Sequence, residues 1–127
     1  MGSAKLNIIR VSVETVFVEE KSSIEYNRYF FYYTVTISND GLVPVQLVSR
    51  HWIITDANEE VFEVKGLGVV GEQPLIQSHE SYTYTSGTEI NTPVGSMRGS
   101  YQMVSEDGTA FDAEIPIFIL SMPRTLH

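Results

Sequence analysis

The residues best spaced for chemistry are the glycines of Gly66-Leu67-Gly68-Val69-Val70-Gly71-Glu72-Gln73-Pro74. They spell G-x-G-x-x-G. That spacing lets a backbone wrap a pyrophosphate when a strand delivers the chain into the turn and a helix N-terminus follows at once. The positive charge such a ligand needs would come from Arg50, Lys65 or Arg98. Gly66, Gly68, Gly71, Lys65, Arg50 and Arg98 are therefore the candidate ligand-binding set. The setting argues against a dinucleotide site. Leu75-Ile76-Gln77-Ser78-His79-Glu80 is too short for an amphipathic helix, and a strand follows immediately. Glu89, at about the right separation for a ribose contact, is expected in a loop. The plainer reading is that each glycine serves the backbone through positive φ, a bulge or close approach, with Gly68 expected at positive φ.

Arg50-His51-Trp52 is the second cluster. On a strand, Arg50 and Trp52 point one way and His51 the other. Trp and Arg together can anchor an interface, so Trp52, with Glu72 and Gln73 of the glycine stretch, forms the candidate partner-binding set. The favoured alternative is a core Trp52, an Arg50 paired with a carboxylate and a hydrogen-bonded His51. His51, His79 and His127 are isolated, and Glu19-Glu20 and Glu59-Glu60 read as solvated loop charges, so no metal site is expected. Ser86-Gly87 lacks the G-x-S-x-G frame of a nucleophile elbow. With no cysteine, thiolate nucleophiles, disulfides and iron–sulfur clusters are excluded. No catalytic residue and no cofactor are assigned, and the chain is not expected to be an enzyme.

The elements that must position these residues are strands. Ile9, Val11 and Val13 alternate with polar residues, and the slip to Val16 and Val18 suggests a bulge or face switch after Thr15. Glu19 to Asn27 reads as a polar loop. Tyr29, Phe31, Tyr33, Val35 and Ile37 share one face of the strongest strand, which should be core because five large side chains in register cannot all stay wet. Val43 to Thr55 is a third strand region, and Val61 to Val64 a fourth with imperfect alternation. Tyr82 to Thr85 is a strand that Ser86-Gly87 ends. Met97, Gly99, Tyr101 and Met103 share a face, and Glu106-Asp107-Gly108 marks a hairpin. Phe111, Ala113, Ile115, Ile117 and Ile119 share a face of the last strand, where Pro116 argues for an edge or a bulge. About seven short strands between Gly, Pro, Asn and Asp turns predict an all-β antiparallel sandwich of two sheets, fibronectin type III or immunoglobulin-like, with Greek-key connections. A closed barrel is the alternative.

The totals agree. A chain of 127 residues suits a single domain spanning 1–127, with 1–7 expected to be flexible. Sixteen Asp and Glu against eight scattered Lys and Arg give a net charge of −8, which argues against direct nucleic-acid binding and attraction to anionic membranes. No secretion signal or membrane-spanning apolar run is present, so a soluble cytoplasmic domain is expected.

Several motifs agree in order and spacing with one family. Arg50 to Ala57, the glycine stretch to Pro74, Tyr84-Thr85-Ser86-Gly87, Thr92-Pro93-x-Gly95-x-Met97-x-Gly99-x-Tyr101 and Pro123-x-x-Leu126-His127 resemble the bacterial ApaG proteins over nearly the whole chain. The resemblance implies a fibronectin type III-like sandwich and a link to cobalt resistance and magnesium efflux. It also implies kinship with domains of F-box and polymerase delta-interacting proteins that look like protein-binding modules. No catalytic residue comes with it. The expectation is a non-catalytic domain with a protein partner, a homodimer being one candidate assembly. The alternative is a small-ligand domain binding pyrophosphate or nucleotide at residues 66–71.

Overall fold

The computed structural model describes residues 8–123. The expected flexibility of residues 1–7 and the motif positions Leu126 and His127 lie outside them. Eight strands form in order: β1 Ile9–Phe17, β2 Tyr29–Asn39, β3 Val45–Asp56, β4 Val61–Leu67, β5 Leu75–Ile76, β6 Ser81–Ile90, β7 Val94–Ser105 and β8 Ala110–Ser121. One sheet has the order β1-β2-β6. The other runs β4-β3-β7-β8, with β5 paired to β3 on the β4 side. All pairings are antiparallel. The chain is thus an antiparallel β-sandwich, and among the described residues no ladder joins the two sheets into a barrel. Between β1 and β2, Glu19–Lys21 and Ile24–Tyr26 form single 3₁₀ turns within the expected loop.

The core lies between the sheets. Tyr29, Phe31, Tyr33, Val35 and Ile37 of β2 are all buried, as the alternation predicts. Each such burial contributes roughly 1.5–3 kcal/mol. Facing them are Trp52, Ile54, Met97, Tyr101, Met103 and Ile115. Trp52 packs edge-on against Tyr33 (centroids 5.3 Å apart), Phe118 (5.8 Å) and Tyr101 (6.3 Å), the arrangement that ring quadrupoles favour. On the outer face of the smaller sheet, Thr34 bonds Thr85 at 2.8 Å and Ser38 bonds Ser81 at 2.8 Å across β2 and β6.

Four local expectations are corrected. β1 pairs with β2 without a break from Ile9 to Phe17, so there is no face switch; Phe17 simply continues the inward row and Val16 the outward one. Ser86-Gly87 does not end β6, which continues to Ile90; a Cβ at Gly87 would lie 2.5 Å from the Phe30 ring, so the glycine makes room for an aromatic on the neighbouring strand. Glu89 therefore sits in strand β6, opposite Phe30, rather than in a loop. In β8 the register with β7 shifts between Gly99–Ile115 and Met97–Phe118. That bulge at Pro116 turns Ile117 and Ile119 outward and brings Phe118 and Leu120 inward, breaking the uniform face expected from period two. β8 is also an edge strand, where a proline costs the ladder least.

Candidate functional site

The glycine stretch splits between a strand and a loop. Gly66 is inside β4, opposite Arg50 of β3. A Cβ there would come within 2.8 Å of the Arg50 guanidinium, so Gly66 is the bed on which that side chain lies. Arg50 Nη1 then donates to the carbonyls of Leu67 (3.0 Å) and Gly68 (2.9 Å), fixing the end of the strand. Arg50 thus binds backbone carbonyls, and the only cation–carboxylate contacts among the described residues are Arg10–Asp40 and His51–Glu63. The expected carboxylate partner of Arg50 is corrected accordingly.

Gly68 has φ +63, as expected, and a Cβ on it would lie 2.3 Å from the Glu72 carbonyl. Its N–H donates to Val48 O at 2.8 Å. Val69 and Glu72 exchange both backbone bonds, at 2.8 and 2.9 Å, around the two-residue tip Val70-Gly71. Both tip residues have positive φ, +48 and +80, which defines a type I′ turn. Such turns favour Asn-Gly; a β-branched residue in the left-handed region is strained. Val70 is nevertheless 64% exposed. Three of the loop N–H groups are therefore consumed by backbone, whereas those of Val70 and Gly71 have no backbone partner among the described residues.

Glu72 and Gln73 frame this tip. Tyr82 donates its hydroxyl to Glu72 Oε1 at 3.0 Å, and Gln73 Nε2 donates to Val48 O at 2.9 Å. Leu67 and Leu75, 75% and 58% exposed, flank it. Trp52 is 2% exposed and belongs to the core, so its reading as a surface anchor is corrected: the large ring is worth more to the sandwich than to solvent-facing contact.

Beneath the loop, the sandwich is open between β6 and β4. Two cavities of about 290 and 170 Å³ lie there, both lined by Tyr33, Arg50, Trp52 and Ser86. Gly71 and Tyr84 line the larger. The Trp52 indole N–H is buried and has no hydrogen-bond partner among the described residues. Tyr84 and Tyr101 share a hydroxyl–hydroxyl bond, and burial pushes both phenols well above their ordinary pKa; burial also raises Tyr33, against the bond to Ser86 and the charge of Arg50. The cavities thus hold donors and a cation but no carboxylate in their lining.

The remaining candidates do not join this group. Lys65 pairs with His51, and Arg98 with Ile53, on the outer face of the larger sheet; Arg50 pairs with Gly66 and Tyr101 on the cleft face. Successive strand residues face opposite ways, so the two sets leave opposite faces of the sheet, although Lys65, Gly66 and Arg50 together line a separate cavity of about 450 Å³ with Ser49, His51 and Gln102. His51 bonds Glu63 at 3.0 Å, as expected for a hydrogen-bonded histidine. His79 lies in the turn before β6, and His127 lies outside the described residues. No three His, Asp or Glu side chains gather as a metal-binding group among the described residues. No helix among them is long and apolar enough to cross a membrane.

Sequence pattern alone did not mark Val70, Leu67, Leu75 or the tyrosines beneath the loop. The imperfect alternation of Val61, Phe62 and Val64 was the one available signal, since it reflects an edge with apolar residues on both faces.

The fold and site define a class: a two-sheet antiparallel sandwich with a strained, apolar loop on one edge. Residues 19–105 match the ApaG domain. The chain is 61% identical to Protein ApaG of Methylobacillus flagellatus, with 100% of both chains covered. It is 58% identical to that of Thiobacillus denitrificans, again over the whole of both. The crystal structure of the ApaA protein from Bordetella pertussis superposes with a TM-score of 0.92 at 50% identity, covering 95% of this chain and 98% of that one. The chain belongs to the ApaG family.

Proposed function

We propose that this chain is a non-catalytic protein-interaction domain that docks its partner on the loop 68–74. The observation that carries this reading is Val70: an apolar side chain, 64% exposed, held at φ +48 where Asn would sit without strain. Exposure and strain together cost the monomer stability, as expected of a residue kept for an external contact. Leu67, which lines the same cavity as Val70, extends the contact, with Glu72 and Gln73 holding its shape. The partner would be a cytoplasmic protein, and the association with cobalt resistance and magnesium efflux would run through it, as a cation transporter or its regulator. Capture from a cell lysate tests this when paired with Val70→Asn, which keeps the turn. A specific partner held by the parent chain and lost with Val70→Asn is the expected result. Capture indifferent to Val70→Asn, or no specific capture, overturns the reading.

A second reading is favoured by the buried indole N–H of Trp52, without a partner among the described residues, beside Arg50 in a cleft whose lining holds no carboxylate. Such a lining suits a small anion, pyrophosphate or a nucleotide phosphate, bound by Arg50 and Gly71 rather than by Lys65 or Arg98. Calorimetry with pyrophosphate, ATP and diadenosine tetraphosphate decides it. Binding heat that disappears in Arg50→Ala supports the reading; heats equal to buffer overturn it.

A further inference from the structure

β4 is an edge strand, and its free side has a definite pattern. Gly68 N–H bonds Val48 O, and Asp56 N–H bonds Glu60 O. With Ser49 opposite Leu67 and Thr55 opposite Val61, the even-numbered residues of β4 therefore spend their N–H and C=O groups on β3. In an antiparallel ladder these groups alternate sides. Val61, Glu63, Lys65 and Leu67 thus direct theirs to the open edge. Val61, Phe62, Val64 and Leu67 are 58%, 45%, 40% and 75% exposed, and no proline or bulge interrupts the strand; the edge protection it carries is one charge of each sign, the exposed Glu63 and Lys65.

We propose that β4 pairs antiparallel with β4 of a second copy about a two-fold axis at Val64, joining the two larger sheets into one. The sequence Val61-Phe62-Glu63-Val64-Lys65-Gly66-Leu67 is complementary to itself in that register. Glu63 lies opposite Lys65 of the second copy, and Lys65 opposite its Glu63. Val61 meets Leu67 in both directions. Phe62 falls over Gly66, where the missing side chain leaves space, and beside the Arg50 guanidinium that rests on it. The four outward residues of each copy meet as hydrogen-bonded pairs, so the backbone parity is satisfied as well. Shifting the axis to residue 63 or 65 keeps the parity but sets Glu63 against Glu63 or Lys65 against Lys65, and like charges directly opposite disfavour a pairing. The axis at Val64 also overlaps the whole strand. The second copy would add Phe62 to the open side of the cleft, so the proposal deepens the interaction reading above by naming one partner at the same edge.

The chain has no cysteine, which makes cross-linking direct. At the two-fold axis the two Val64 residues form a non-hydrogen-bonded pair, with Cα atoms about 4.5 Å apart, within disulfide reach. Under mild oxidation, Val64→Cys should give a linked dimer at least about tenfold faster than Glu63→Cys or Lys65→Cys alone. A mixture of Glu63→Cys with Lys65→Cys should link across copies. Sedimentation of the cysteine-free chain should show a monomer–dimer equilibrium. Glu63→Lys or Lys65→Glu, each creating two like-charge pairs, should weaken it roughly tenfold, and the double exchange should restore it. A chain that stays monomeric at every concentration, or self-linking fastest at Glu63→Cys or Lys65→Cys, overturns the proposal. Neither result touches partner capture through Val70, which Val70→Asn tests separately.

Discussion

Two edge strands flank the open side of the sandwich, and they are built in opposite ways. β6 shows water Thr83, Thr85, Gly87 and Glu89, and its threonines are tied to those of β2. β4 shows Val61, Phe62, Val64 and Leu67 around the charged Glu63 and Lys65, and it ends in a loop whose tip is strained. The other two edge strands, β1 and β8, lie against each other and close the opposite side. A hydroxyl-rich edge is already at ease with water, whereas an apolar edge gains from being covered. That difference is why both proposed contacts are assigned to β4 and its loop rather than to β6.

The comparison can be broken most severely at Gly68. Gly68→Val puts a β-branched residue at φ +63 with its Cβ against the Glu72 carbonyl, and should cost about 3 kcal/mol or more in a denaturant melt. Leu67→Ala next to it, 75% exposed, should stay within about 0.5 kcal/mol. Equal midpoints would show that Gly68 does not shape the edge.

The interior between the two edges can be probed with base. Tyr84 and Tyr101 have folded pKa values raised above ordinary tyrosine by burial. A phenol that resists ionisation when folded contributes stability that is fully present below the unfolded value, about 10. That stability falls as pH rises above it towards the higher folded values. Absorbance at about 295 nm should therefore show these phenols ionising only together with unfolding. Their ionisation in the folded protein, seen with near-ultraviolet circular dichroism unchanged, would contradict a dry cleft floor.

On the β6 side, Gly87→Ala should cost about 1 kcal/mol, less than Gly68→Val, because the group in the way is the end of the Phe30 ring and can swing aside. The smallest effect should be favourable. Val70→Asn relieves a strained turn residue and should stabilise the fold by roughly 0.5–1 kcal/mol. A loss of stability on that change would mean that Val70 is held by contacts within the chain and not kept for a partner.

Much of this was legible in the residues themselves. Sequence pattern identified every strand but the two-residue β5, and the buried row from Tyr29 to Ile37, since a strand's two faces are set by its own sequence. The demand of Gly68 for positive φ was also legible, as was the absence of a helix after Pro74 that removes a dinucleotide site. Family membership followed from motif order alone. Other features depend on which strand lies beside which, and only the tertiary structure decided them. Gly66 carries Arg50 because β3 is its neighbour; Lys65 and Arg98 occupy positions on the opposite face of the sheet from Arg50; the bulge at Pro116 exchanges Ile117 for Phe118. Trp52 became core and left a buried N–H without a partner because Tyr33, Tyr101 and Phe118 close around it. Alternation says that a residue points up or down, but burial, pairing and exposure of an edge are properties of the neighbours the fold supplies.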